Sequence, residues 1–157
     1  GGLALALTAF LRDAGRELPR AVICMSPWAD LACEGDSYTY NYKNDPSFGV
    51  QTRSVPGKSG GLITDYAGNS DLRDKHLSPV YGDFDGFPPL LLQAGSYEML
   101  LSDSRMVYEK AAEAGVDATL TVYRGMFHDF QLYGGYFKES KAAWKEIEAF
   151  LTQHQPG

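Results

Sequence analysis

Apolar residues cluster along this chain in short runs, and the pattern of each run predicts the element that it forms. The runs at Ala21 to Ser26 and Leu90 to Ala94 are nearly continuous; Pro27 ends the first, and prolines and Gly95 bound the second. Such runs are typical of strands that are buried on both faces. Residues Thr119 to Tyr123 belong to a stretch in which apolar and polar positions alternate, and this predicts a third strand.

Longer segments with a helical pattern lie between and around these strands. Helices are predicted at Leu3 to Ala14, from Ser102 to Gly115, and at Lys138 to His154. In the second helix Ser102 is the expected N-cap, Asp103 lies in the first turn and Gly115 marks the end. The segment from Ala29 to Asp85 lacks a long period and is rich in Gly, Ser, Asp, Asn and Tyr, so it predicts an excursion of loops and short helices.

This alternation of strands and helices predicts the fold class. Strands joined by helical crossovers pair in parallel, which indicates an α/β layered fold with the three strands adjacent in one sheet. No internal repeat or low-complexity tract interrupts the order, and 157 residues with 44% hydrophobic content suffice for one domain with a core.

Composition and charge narrow the function classes. The formal net charge is -6 and the basic residues are scattered, which disfavours binding to nucleic acid or to an anionic membrane surface. The two cysteines, Cys24 and Cys33, form neither a disulfide framework nor a metal pattern, and the opening residues do not resemble a signal peptide, so a cytoplasmic protein is expected. His76 and His154 have no partners at ligand spacing, and no metal site is predicted.

The candidate chemistry lies where the second and third strands end. Glu98 and His128 both follow carboxyl ends of strands, where open parallel sheets form their ligand crevices. A carboxylate that orients an imidazole, with the imidazole as general base, makes up two thirds of a nucleophilic triad. The alternatives are that His128 is a packing residue and that Glu98 interacts with a helix dipole. Among the nearby acids we expect Glu98, rather than Asp103 or Asp129, to lie within about 3.2 Å of His128, with Asp129 pointing away.

Six segments in order carry a resemblance to a known family: "GGLALAL", "SPWADLACEGDSY", "NDPSF", "YAGNSDLRDKHLSPVYGDFDGFPPLLLQAGSYEMLLSDS", "AAEAGVDATLTVY" and "GMFHDFQLY". Together they resemble the second half of the hormone-sensitive-lipase-like esterases, or bacterial family IV, within the α/β-hydrolase fold. The resemblance implies a carboxylesterase of short acyl esters that needs no cofactor. It also implies that Glu98 is the triad acid and His128 the triad base, although the family often has aspartate at the position of Glu98 or Tyr97.

The resemblance further implies that the nucleophile lies upstream. The family's elbow reads Gly-Asp-Ser-Ala-Gly-Gly, and Gly1 and Gly2 match its final pair, so residues 1–157 correspond to the C-terminal half of one domain that starts just after the elbow. The oxyanion donors would also lie upstream, and the chain alone is expected to be inactive. The expected partner is a small-molecule ester, and the sequence leaves open a homo-oligomer or pairing with the N-terminal half. A non-catalytic binding module and another α/β hydrolase, such as a peptidase, remain alternatives.

Overall fold

Helices and strands alternate along the chain, as the hydrophobic pattern predicts. The computed structural model describes residues 1–50 and 62–154. Among these residues no helix combines the length and apolar character needed to cross a membrane. The described helices are Gly2–Asp13 (α1), Ser37–Tyr40 (α2), Leu62–Ala67 (α3), Leu101–Glu113 (α4) and Lys138–Gln153 (α5), and the strands are Val22–Met25 (β1), Leu90–Gly95 (β2) and Ala118–Tyr123 (β3).

The three strands form one parallel sheet in the order β1-β2-β3. In the register of the sheet, Leu92 of β2 lies opposite Cys24 of β1 and Leu120 of β3. All six residues of β2 are buried, as expected for a central parallel strand. The predicted strands, their adjacency and their parallel pairing are therefore confirmed, and all three carboxyl ends lie at the same edge of the sheet.

Helices cover both faces of the sheet because side chains along each strand alternate between the faces. On one face, Leu5 of α1 and Val107 of α4 belong to a buried cluster with Cys24, Leu90 and Leu92. On the other face, the side-chain amide of Gln93 in β2 donates to the carbonyl oxygen of Ala143 in α5 at 2.9 Å. Burial of the apolar side chains between the helices and the sheet is the main favourable contribution to folding.

The start of α4 differs from the sequence prediction. The helix begins at Leu101, its N-cap position is Leu100, and no side chain caps it from within, so the expectation that Ser102 is the N-cap was wrong. The backbone N–H of Ser102 instead donates to the Ser37 hydroxyl at 2.9 Å. A hydroxyl from a distant segment thus satisfies one of the free donors of the first turn. The predicted end is confirmed, since Gly115 follows the helix with a left-handed φ of 75°.

In its described part, the excursion between β1 and β2 contains only short helical elements, as the sequence predicts. It includes α2, α3 and a single 3-10 turn at Pro79–Tyr81. Residues 51–61, including the "SGG" segment at 59–61 that the sequence predicts to be a turn, lie outside the described residues.

A buried carboxyl group on α4 ties the start of the excursion to that helix. Asp103 is fully buried, and one of its oxygens accepts the backbone N–H groups of Ala29 and Asp30 at 2.9 Å each and the Tyr38 hydroxyl at 3.1 Å. The other oxygen has no hydrogen-bond partner. Burial raises the pKa of Asp103 to about 8 although the backbone donors act in the opposite direction.

We expect Asp103→Ala to lower the free energy of unfolding by about 2 to 4 kcal/mol, because buried donors lose their acceptor. Asp103→Asn should cost less than about 1 kcal/mol, since an amide oxygen can accept the same bonds. Urea denaturation measures both changes, and Glu113→Ala, at an exposed position of the same helix, is the control. Equal losses for the alanine and asparagine variants would contradict this role of the carboxyl oxygen.

Candidate active site

The loops that follow β2 and β3 lie against each other at the carboxyl edge of the sheet. The backbone N–H of Tyr97 donates to the carbonyl oxygen of Met126 at 3.0 Å, and that of Gly125 donates to the Ser96 hydroxyl at 2.8 Å. Gly95 allows this approach, because a Cβ atom there would clash with the Met126 backbone. The two loops therefore bring the residues after β2 close to those after β3.

Glu98 is fully buried in the first of these loops, and its two oxygens have different surroundings. Oε1 accepts the Ser26 hydroxyl at 2.7 Å and the backbone N–H of Gly95. Oε2 accepts no hydrogen bond and lies 3.6 Å from Nδ1 of His128, which is also without a hydrogen-bond partner. The carboxylate is thus held by one oxygen and directs the other toward the imidazole.

The separation of Glu98 and His128 is longer than the hydrogen bond of about 3.2 Å that the sequence led us to expect. The expectation that Asp129 points away was wrong, since its Oδ2 lies 3.3 Å from Nε2 of His128. Asp129 has a left-handed φ of 55°, and its N–H donates to the Ser26 hydroxyl at 3.2 Å. This bend of the backbone brings the Asp129 side chain alongside the imidazole.

The electrostatic surroundings of His128 favour its protonated form. Burial lowers the pKa of the imidazole, but the close approach of the Glu98 carboxylate and the negative charges of Asp129 and Asp45 outweigh burial, so the pKa is raised. Phe48 packs edge-on against the ring, with 4.8 Å between ring centroids. A partly buried imidazole flanked by carboxylates can accept a proton and hold it, as a general base must.

Residues of the excursion hold the Glu98 loop in place. The Asn41 side-chain amide donates to the carbonyl oxygens of Ser96 and Glu98 at 2.9 and 2.8 Å. Asp45 accepts the backbone N–H of Met99 at 2.7 Å. Both Asn41 and Asp45 are buried, so their bonds are shielded from competing water. The position of the Glu98 backbone therefore depends on a segment more than fifty residues away in the sequence.

A cavity of about 360 Å³ opens beside His128. Gly1 and Gly2 line it, and a side chain at either position would meet the backbone of Pro27 or Trp28. The first turn of α1 can therefore lie directly against the loop after β1. The remaining lining is predominantly apolar and consists of Leu3, Met25, Ser26, Trp28, Leu31, Phe48, Tyr66, Leu77, His128 and Asp129.

The structure thus brings Gly1, Gly2 and His128 to one cavity and puts Glu98 behind the imidazole. Asp103 does not contact His128, since its carboxyl group accepts the backbone N–H groups of Ala29 and Asp30. Sequence reasoning missed the contact of Ser26 with Glu98. A signal was present, because Ser26 ends the predicted first strand, and β1 itself ends one residue earlier at the same edge of the sheet. The ring contact of Phe48 had no comparable signal, since it comes from an aperiodic segment.

Comparison with known proteins agrees with this architecture. A family model described as alpha/beta hydrolase fold matches residues 1–132, which include Glu98 and His128. The chain belongs to this family. This match confirms the α/β fold class that the order of helices and strands predicts.

Curated relatives of this alpha/beta hydrolase have hydrolase names. It is 39% identical over 150 residues to an acetyl-hydrolase of Streptomyces hygroscopicus, with 96% of this chain and 48% of the relative covered. It is 37% identical over 150 residues to an esterase of Acinetobacter venetianus, again with 96% and 48% covered. The chain therefore spans about half the length of the curated relatives that it matches.

A solved esterase from the bacterial hormone-sensitive lipase family is similar in structure, with a TM-score of 0.88 and 37% identity. The match covers 98% of this alpha/beta hydrolase and 50% of the solved chain. The resemblance seen in the sequence, to esterases of the hormone-sensitive lipase type, is thereby confirmed.

We expect His128 to titrate above the ordinary imidazole value of about 6.5, and Glu98→Gln to lower its pKa. A raised pKa stabilises the fold below about pH 6.5, and this contribution disappears as the pH rises through the folded-state value. NMR titration of the imidazole measures the shift. Asp129→Asn is the matched comparison. The Asp129 side chain is 40% exposed and the Glu98 side chain is fully buried, so added salt should weaken only the contribution of Asp129 to the His128 pKa. An unchanged His128 pKa in Glu98→Gln would contradict the coupling.

Proposed function

We propose that this chain supplies the acid and the base of a serine carboxylesterase that hydrolyses short-acyl esters. His128 is the general base, Glu98 the acid that orients it, and the serine lies upstream of Gly1. The observation that carries the proposal is the buried Glu98 oxygen that faces Nδ1 of His128, while Nε2 lies on the side of Asp129, a residue of the cavity lining. Nδ1 toward the acid and Nε2 toward the nucleophile is the arrangement of a triad.

The proposed reaction uses the imidazole twice. Nε2 takes the proton of the serine hydroxyl as the serine oxygen bonds to the ester carbonyl carbon, and the Glu98 carboxylate stabilises the imidazolium. Nε2 then gives that proton to the alcohol as the bond from carbonyl carbon to alkoxy oxygen breaks. Water then attacks the acyl-enzyme by the same two steps, which releases the carboxylic acid product and restores the serine.

The start of α1 supports the position of the nucleophile. Gly1 and Gly2 line the cavity beside His128, as expected of the last two residues of an elbow. The positive end of α1 would contribute about 0.3–1 kcal/mol toward charge that develops on the ester oxygen. The oxyanion donors themselves would come from residues upstream of this chain.

The names of the relatives favour an ester over a peptide as substrate, since they are an acetyl-hydrolase and an esterase. The cavity is small and mostly apolar, which suits a short acyl or alcohol group. A binding module without catalysis is the second reading, and it gives no reason for a buried carboxylate aimed at an imidazole.

The test uses the whole protein, extended upstream through the elbow, with p-nitrophenyl acetate and butyrate as substrates. His128→Ala and Glu98→Ala should each lower kcat by about 10²–10⁴-fold, because the serine loses its base or the base loses its orientation. Asp129→Asn should retain most of the activity and is the control for charge near the imidazole. If Asp129→Asn abolishes activity and Glu98→Ala does not, Asp129 is the acid and the assignment is wrong.

We also expect the 157-residue chain alone to be inactive toward the same esters beyond the background that an imidazole without a nucleophile gives. General-base assistance acts on a positioned nucleophile, and the proposed nucleophile is not part of these residues. A serine-directed phosphonate should label the extended protein and leave the short chain unlabelled. Labelling of the short chain, or an extended protein that folds and stays inert, would count against the proposed function.

A further inference from the structure

Ser26 stands at the junction of the three loops that form the site. It follows the last residue of β1, is only 2% exposed, and its backbone N–H donates to the Gln93 carbonyl oxygen at 2.8 Å. Its φ is 44°, in the left-handed region that side-chain-bearing residues seldom adopt. A buried serine in this conformation is held there by its surroundings.

The Ser26 hydroxyl joins two elements of the proposed triad. It donates to Oε1 of Glu98 at 2.7 Å and accepts the backbone N–H of Asp129, the residue after His128, at 3.2 Å. A hydroxyl has one hydrogen to donate, and its direction here is settled because Glu98 as a carboxylate can only accept. One oxygen therefore links the acid to the loop that carries the base.

These contacts restrict the rotation of the Glu98 carboxylate. With the Ser26 hydroxyl and the Gly95 N–H both on Oε1, the carboxylate cannot turn without losing two buried hydrogen bonds. Oε2 is left facing His128 Nδ1 with no competing donor. The Ser26 bond to the Asp129 backbone keeps the imidazole loop at a fixed distance from the same group.

We propose that Ser26 is a positioning residue for the reaction: its hydroxyl fixes the rotation of the Glu98 carboxylate and the place of the His128 loop, so that the acid can orient the base. The inference rests on the proposed function and adds to it a residue outside the triad. Ser26 acts through Glu98 and His128, so its removal affects the rate of the chemical step more than substrate binding.

The experiment uses the whole protein extended through the elbow and measures p-nitrophenyl butyrate hydrolysis. Ser26→Gly removes the hydroxyl and also relieves the left-handed strain, so the variant should fold, whereas Ser26→Ala keeps the strain. Both should lower kcat by about 10- to 100-fold, as expected for the loss of a hydrogen bond to a charged group, with KM changed by less than about threefold. Cys33→Gly is the matched control: its φ is 56° and its sulfur lies 3.6 Å from the Leu31 carbonyl oxygen, so it should keep full activity.

A double-mutant cycle separates this role from a merely structural one. If Ser26 acts through Glu98, adding Ser26→Gly to Glu98→Ala should lower kcat by less than about twofold further. The same 10- to 100-fold loss in both backgrounds, or full activity of Ser26→Gly, would overturn the inference while leaving the triad assignment intact. Unchanged activity of Glu98→Ala and His128→Ala would instead overturn the proposed function itself, and with it the role of Ser26.

Discussion

The fully buried carboxylate of Glu98 is the constraint on which the site depends. A charge taken out of water destabilises the fold unless hydrogen bonds and opposite charge compensate for it. Here the compensation comes from a different strand end for each contact: Ser26 after β1, Gly95 at the end of β2 and His128 after β3. Parallel pairing in the order β1-β2-β3 brings these three ends to one edge, so the compensation of the buried Glu98 depends on the sheet topology.

The excursion between β1 and β2 completes this arrangement with buried polar side chains. Asn41 and Asp45 bind the backbone around Glu98, and Ser37 accepts the N–H of Ser102 where α4 begins. The Ser37 bond replaces part of the local capping that the start of α4 lacks. Removing either partner of such a bond leaves the other buried and unpaired, which makes the excursion part of the site's support and not only a cover over it.

The sequence was sufficient to predict the sheet, its parallel pairing and the two titratable residues at its edge, because periodicity and chain order report on these features. It failed at Ser102, where a hydroxyl 65 residues away satisfies the donor that a local cap would have satisfied. It failed again at Asp129, where the backbone is left-handed and the side chain lies 3.3 Å from the imidazole instead of pointing away from it. It also passed over Ser26, whose role follows from a contact across 72 residues. The contacts of Ser102 and Ser26 join segments far apart in the sequence, and although the position of Ser26 at the end of a predicted strand was a signal, no local pattern gives its partner.

The carboxylates of Asp129 and Glu98 both approach the His128 imidazole, at 3.3 Å and 3.6 Å. Distance alone would favour Asp129 as the acid that orients the imidazole. Burial and direction favour Glu98. The Asp129 side chain is 40% exposed, so solvent and salt screen its charge, whereas Glu98 is fully enclosed and acts across a medium that screens little. Asp129 also faces Nε2, the nitrogen that reaches the nucleophile in the proposed triad, and a carboxylate bound there would compete with the proposed serine. Glu98 faces Nδ1, away from the nitrogen that the proposed reaction uses, so under the proposed function the more distant carboxylate is the one suited to orient the base.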